Sequence, residues 1–276
     1  MVAYFRVQNN LFMLLGGTLG LIAAVLMQGS LAVPGYIRMF FLLLPVMLGI
    51  VIGRIAAGFW ANGKLRQLQA ILYEQVRPEE FLNTFAPIVE QTPVETIAYV
   101  DGCVKLAYAY EALGQFDKAM DCVTPLHPEK LKHHTLGGMA ITCSQKTRLL
   151  LLQEKTGEAA ICLQSLRAIA DTATERAPAL GRSTRECVRL YENWLSVLCG
   201  QPADEAYLAE EVQLAKNRIH QSEIQLVLAQ AAVNRGDTAQ ARRLLVDAQA
   251  SGSGLYAERR AGELLSDMQQ MSRRPD

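Results

Sequence analysis

The chain has 276 residues, enough for more than one folding unit, with 27 Lys and Arg against 27 Asp and Glu and a mean hydropathy of +0.11. Balanced charge supplies no basic patch of the kind nucleic-acid binding needs, which argues against nucleic acid as a partner. The apolar half of the composition is unevenly placed: residues 1–60 contain no acid and only Arg6, Arg38 and Arg54, and the first acid is Glu74.

The first element is an uncharged run from Leu11 to Met27, close to the roughly 20 residues a helix needs to cross the hydrocarbon of a bilayer. A second run spans Tyr36–Trp60, with Arg38 and Arg54 near its ends, where long side chains snorkel to the headgroups. A short turn-rich stretch joins them. The pattern predicts a transmembrane helical hairpin over 1–60, with spans of about 11–28 and 37–59, because lipid tolerates only backbone that is fully hydrogen-bonded. A competing interpretation makes the first run a cleavable signal peptide with small residues Ser30 and Ala32 before the cut, but its positive n-region is weak and its apolar core long. Arg6 precedes the first span, and Arg54, Lys64, Arg66 and Arg77 follow the second, so the positive-inside rule places both termini, and the soluble region with them, in the cytoplasm at the cell membrane. Gly16 with Gly20 and Gly49 with Gly53 are spaced four apart, which lets helix backbones approach closely, either within the hairpin or between protomers of a homo-oligomer.

Beyond Trp60, apolar residues recur at intervals of three and four and no period-two alternation stands out, so the remainder reads as all-α. An amphipathic linker helix that continues the second span is expected over 61–77. Further helices are expected at 79–91, 94–113, 116–126, 135–154, 156–171, 182–199, 204–219, 221–235, 238–250 and 255–271. Breaks fall at Gly114, Gly157, 177–181, Gly200 and Gly236 among others, with long loops at 125–135 and 172–182. Residues 272–276 read as a disordered tail.

The helices come in pairs that resemble one another. In residues 106–123, Leu106 and Ala107 form a large-then-small pair, Tyr110 follows, Gly114 opens a turn, and Phe116 and Ala119 come after it. Leu228, Ala229, Gly236, Ala241 and Leu245 take corresponding places in 228–245. Leu150, Ala159, Leu163 and Leu166 form a weaker copy without the turn glycine, and Trp194, Gly200, Ala206 and Leu208 a weaker one still. This pattern resembles the tetratricopeptide (TPR) repeat family over residues 78–271, with inter-unit spacings longer than the family's roughly 34 residues. The resemblance implies an α-solenoid of antiparallel helix pairs whose first helices line a groove that binds other proteins or peptides. Carried over position by position, the groove residues are Asp101, Val104, Tyr108, Glu111, Arg148, Gln230 and Asn234. The lysine and asparagine that clamp a terminal carboxylate in chaperone-binding members are replaced by Val104 and Tyr108, which points to a mixed apolar and polar peptide instead. The final helix, apolar on one side and charged on the other, suits the solvating cap such arrays need.

Catalytic motifs are absent from the sequence: no Gly-rich phosphate loop, no G-x-S-x-G, no H-E-x-x-H. His127, His133 and His134 with Cys122 could in principle hold zinc, but their spacing matches no known ligand pattern. Cys187 or Cys199 as a nucleophile would need a base, and His220 is the one histidine in that half of the chain. The six cysteines contain no C-x-x-C pair and read as free thiols in a reducing compartment. Arg242-Arg243, Arg259-Arg260 and Arg273-Arg274 are interleaved with acids, as solvated helix faces are. The expectation is a membrane-tethered interaction adaptor or assembly scaffold in contact with the lipid bilayer, not an enzyme, with no cofactor, metal or catalytic residue. The alternatives are an extracytoplasmic envelope-assembly factor and a metal-binding regulator or enzyme.

Overall fold

The computed structural model describes residues 5–28, 35–131, 133–250 and 254–271; Ser30, Ala32, Arg273, Arg274 and the tail 272–276 lie outside the described residues, as do the side chains of Arg6 and Arg38. Among the described residues there is no strand, and twelve α-helices follow one another: α1 (Arg6–Gln28), α2 (Gly35–Tyr73), α3 (Pro78–Glu90), α4 (Ile97–Ala112), α5 (Phe116–Val123), α6 (Thr135–Leu152), α7 (Thr156–Arg176), α8 (Pro178–Leu198), α9 (Glu205–Leu214), α10 (Arg218–Asn234), α11 (Thr238–Gln249) and α12 (Tyr256–Met271). The expected all-helical class is what the chain adopts. Two compact units divide it, Met1–Leu68 with Ile88–Pro93, and Gln69–Pro87 with Val94–Asp276.

In the first unit, α1 and α2 are both long and apolar enough to cross a membrane. Much of their apolar surface is left open. Leu14, Leu19, Leu26, Met47, Leu48, Ile52 and Phe59 are all more than half exposed, whereas the core helix of a water-soluble domain buries such residues. α2 is continuous for 39 residues with Pro45 inside it, so the stretch after 60 continues the second span in the same helix, which ends at Tyr73. The four spaced glycines mark where α1 and α2 touch. A Cβ on Gly16 would strike the Gly49 carbonyl, one on Gly20 the Pro45 carbonyl, and one on Gly53 the Phe12 carbonyl. The helices therefore meet backbone to backbone, and of the two uses open to these glycines the close approach within the hairpin is the one adopted. Near the open end, Trp60 closes over Phe5 at 5.2 Å and Phe12 at 6.1 Å between ring centres.

The second unit is built on one turn used four times. At Gly114, Glu154, Gly200 and Gly236 the backbone turns left-handed, with φ between 55° and 80°. In each case that residue's N–H and the next one's donate to carbonyls three and five residues back, as when Gly114 N–H reaches Glu111 and Gln115 N–H reaches Tyr110. Such a turn satisfies the carbonyls that a helix end leaves free. Counted from the N-cap of the helix that follows (Gln115, Lys155, Asp204, Asp237), the fourth residue is Ala119, Ala159, Leu208 or Ala241, and each is fully buried. That position is where the two helices of a pair cross. The count also fixes the register of the weakest pair: its turn is three residues longer, Leu208 sits at the crossing, and Ala206 faces out.

Two expected breaks are displaced. Gly157 lies in the first turn of α7, and Glu154 makes the left-handed turn instead. The loop expected at 172–182 shrinks to Ala177, because α7 runs on to Arg176 and Pro178 starts α8 at a position where a missing N–H costs nothing. Gly181 is helical, and a Cβ there would strike the Thr174 backbone, so it serves the close crossing of α7 and α8. α9 ends early at Leu214, since Asn217 caps α10 by accepting from His220 N–H at 2.9 Å.

The first helix of each pair also touches its next-but-one neighbour. α4 packs on α6, α6 on α8, α8 on α10 and α10 on α12, and α12 returns to α4. That return is made by Arg259, which donates to the Leu113 carbonyl at 2.7 Å, and by Tyr256, whose ring meets Phe116 at 4.8 Å. The main apolar core runs through α6 to α10, with Leu151, Leu166, Leu208 and Ile224 almost fully buried.

A left-handed non-glycine residue costs about 1 kcal/mol, while the exposed Glu154–Arg260 pair at 3.2 Å contributes at most about 1 kcal/mol, and Arg260 keeps Glu263 as a second partner. Glu154→Gly is therefore expected to stabilise the protein by about 0.5 kcal/mol and to raise the melting temperature by about 1–2 °C in thermal unfolding.

Candidate functional site

Among the helices of the second unit lies a cavity of about 600 Å³, walled by α4, α6 and α8 and by the first turns of α10, with Tyr73, Tyr108, Tyr191 and Tyr207 among its lining residues. Its floor is polar. Arg148 of α6 is nearly buried, with Nε at 2.7 Å from Glu111 Oε1 of α4 and its terminal nitrogen in contact with Glu223 of α10. The contact to Glu111 lacks hydrogen-bond alignment, so it is a Coulombic contact, whereas that to Glu223 is a hydrogen bond as well. The guanidinium also lies over the Tyr108 ring at 4.4 Å, and Gln145 Nε2 donates to Glu111 at 2.5 Å.

Burial pushes both carboxyls above the ordinary range against the pull of Arg148. Arg148 is held charged, because the two acids beside it outweigh its loss of water.

The walls are tied to this floor. Tyr108 Oη donates to Asn217 Oδ1 at 3.1 Å, the atom that caps α10, so α4 and α10 are bridged twice. Tyr191 Oη and Ser144 Oγ lie 3.0 Å apart and join α8 to α6. His220 lines the cavity and is kept neutral, its pKa pushed down to about 3 by burial and then by Arg148. Its Nδ1 is buried with no hydrogen-bond partner among the described residues. Cys187 lines the same cavity, and burial pushes its thiol up.

Of the seven expected groove residues, Val104, Tyr108, Glu111 and Arg148 come together here. Val104, Tyr108 and Arg148 line the cavity and Glu111 forms part of its floor. Asp101 sits on the same helix and pairs with Lys105. Gln230 and Asn234 lie elsewhere: Gln230 donates to Asn234, which donates to the Val197 carbonyl at 2.7 Å and so closes the end of α8. Glu223 and Asn217 were not legible as site residues. The available signal was an acid, Glu223, on the apolar side of a helix between Ile219 and Val227, where a charge survives only if paired. The histidine linker makes no comparable site. His127 contacts Glu129 at 3.0 Å, and among the described residues no group of three His, Cys, Asp or Glu is placed to hold a metal.

Removing the centre of the floor leaves two buried acids with no cation. Arg148→Met is expected to cost about 3–5 kcal/mol, and the triple variant with Glu111→Gln and Glu223→Gln to recover most of it, as chemical denaturation would show. The floor also gives a pH signature. A carboxyl raised in the folded state contributes stability that is complete below its ordinary 4.5 and is lost as pH rises. A histidine lowered from 6.5 works the other way, losing stability as pH falls toward about 3. Between pH 6.5 and 7.5, below the range in which the raised thiols contribute, the carboxyl contribution dominates. Melting temperature should fall from pH 6.5 to 7.5 in the parent protein and stay nearly level in Glu111→Gln.

Comparison with known protein families, with curated proteins and with solved structures finds no match for this chain.

Proposed function

We propose that this chain is a membrane-tethered adaptor or assembly scaffold: a two-span hairpin holds a TPR-like helical-repeat domain on the cytoplasmic face, and the cavity among its helices receives a segment of a partner protein. The observation that carries the reading is the aromatic and polar cavity of about 600 Å³, of a size and lining suited to a ligand, enclosed by helix pairs that share one turn and one crossing position. The repeat character is supported by the recurrence of that turn at Gly114, Glu154, Gly200 and Gly236 and by the packing of each first helix on the next. Membrane attachment is supported by apolar side chains exposed along α1 and α2, which water would not tolerate in such number. The cytoplasmic side follows from the arginines and lysine flanking the spans.

Binding accounts for the site better than catalysis does. A reactive thiol needs a lowered pKa and a protonated neighbour, and Cys187 and His220 are shifted in the opposite directions. Tethering confines the domain to a thin layer beside the bilayer, which raises the effective concentration of partners in that layer.

Two measurements test the reading. The full-length chain should sediment with membranes and resist alkaline extraction; recovery in the supernatant would sink the anchor. A photo-crosslinking amino acid at Leu180, which lines the cavity, should give a discrete protein adduct in cells, and one at Ile161, exposed on α7, should not. Equal labelling at both positions would remove the cavity from the proposal.

A further inference from the structure

We infer that the cavity selects a cationic side chain, a lysine or arginine on an otherwise apolar segment of the partner; this rests on the adaptor reading above. Every cation at the cavity is already neutralised. Arg148 is held between Glu111 and Glu223, and Lys105 is paired with Asp101. An incoming anion would therefore find no uncommitted positive charge. Two further acids, Glu186 on α8 and Glu211 on α9, line the same cavity, and among the described residues neither makes an ion pair. With Lys105 and Arg148 each committed to an acid of the chain, Glu186 and Glu211 are the charges of the lining left to meet an occupant, and their complement is a cation.

The neutral part of the lining suits the same occupant. An ammonium or guanidinium on an apolar stem is attracted to tyrosine faces as well as to carboxylates. Arg148 already covers Tyr108, and Arg189 covers Tyr207 at 3.9 Å, so two rings here hold cations from the chain itself. Among the described residues no cation stands over Tyr73 or Tyr191. His220 adds a neutral imidazole whose Nδ1 has no partner, and such a nitrogen accepts from an ammonium or guanidinium N–H when the ring proton sits on Nε2. Val104, Ile141 and Leu180 supply apolar surface for the stem and its neighbours.

The test uses the full-length protein in a neutral detergent and three capped tripeptides, acetyl-Leu-Lys-Leu-amide and its Gln and Glu counterparts, titrated calorimetrically at low salt. The lysine peptide should bind at least tenfold more tightly than the glutamate peptide, with glutamine between them. The Glu186→Gln/Glu211→Gln double variant should lower the lysine peptide's affinity about tenfold and level the series. These two acids are at the surface or half-buried, and an unchanged circular dichroism melt would confirm that the variant folds. Glutamate binding as well as lysine, or a double variant that binds lysine like the parent, overturns the charge selection. If all three peptides bind equally and Leu180→Trp blocks them, the selection fails while the adaptor reading stands. Should n-butylammonium bind as tightly as the lysine peptide, the occupant is a small organic cation: the selection stands and the adaptor reading falls. No binding by any probe overturns both.

Discussion

Three ionisable side chains from distant parts of the chain, Glu111, Arg148 and Glu223, meet where water is almost excluded, and the second unit is organised around that meeting. Taking each charge out of water costs several kcal/mol, and the mutual attraction only about offsets it, so apolar residues of similar size would hold the helices at least as firmly. The ionic group differs from an apolar cluster in how few arrangements satisfy it. A leucine packs acceptably in many orientations. A planar guanidinium set between two carboxyls and over a tyrosine ring has few alternatives, and so α4, α6 and α10 are held in one relative register. The second bridge from Tyr108 to Asn217 acts in the same sense, because the atom it reaches is the one that starts α10.

The same contacts decide what the cavity is. In an open repeat groove the charges of the first helices stay available to a ligand. Here the circuit of helices from α4 round to α12 and back turns those charges onto one another, so the most conspicuous cation of the site forms part of its floor. What remains toward the interior is aromatic, hydroxylic and acidic. The carboxyls of the floor titrate upward because they are buried, and the imidazole beside them titrates downward for the same reason, so one physical cause gives the site two opposite pH dependences.

The fold class was legible because it depends on local signals that burial reinforces. Gly114 and Gly236 sit where the left-handed turn needs them, and Ala119 and Ala241 where the helices cross. The second turn was misplaced because a nearby glycine, Gly157, gave the stronger local signal, whereas the left-handed residue is Glu154. Gly181 read as a breaker for a related reason: sequence cannot distinguish a glycine that ends a helix from one that lets another backbone pass at contact distance. Four of the seven groove residues do share one site, but nothing in the sequence said that Arg148 would be consumed by Glu111. Pairing across 37 residues, and then across 75 to Glu223, depends on how helix pairs stack, and no local pattern encodes it.

The hairpin makes the opposite use of its backbone. Between two helices in a lipid-like surrounding there is no hydrophobic gain on contact, since the alternative neighbour is just as apolar. Association must come from close van der Waals fit, and Gly16, Gly20, Gly49 and Gly53 supply it by removing the side chains that would keep the two helices apart. The surfaces left outward on α1 and α2 are largely leucine, isoleucine, valine, methionine and phenylalanine, with smaller residues such as Ala23 and Ala56 between them. Exposed apolar side chains of this kind suit solvation by acyl chains, and the close backbone fit is what holds the two helices together beneath them.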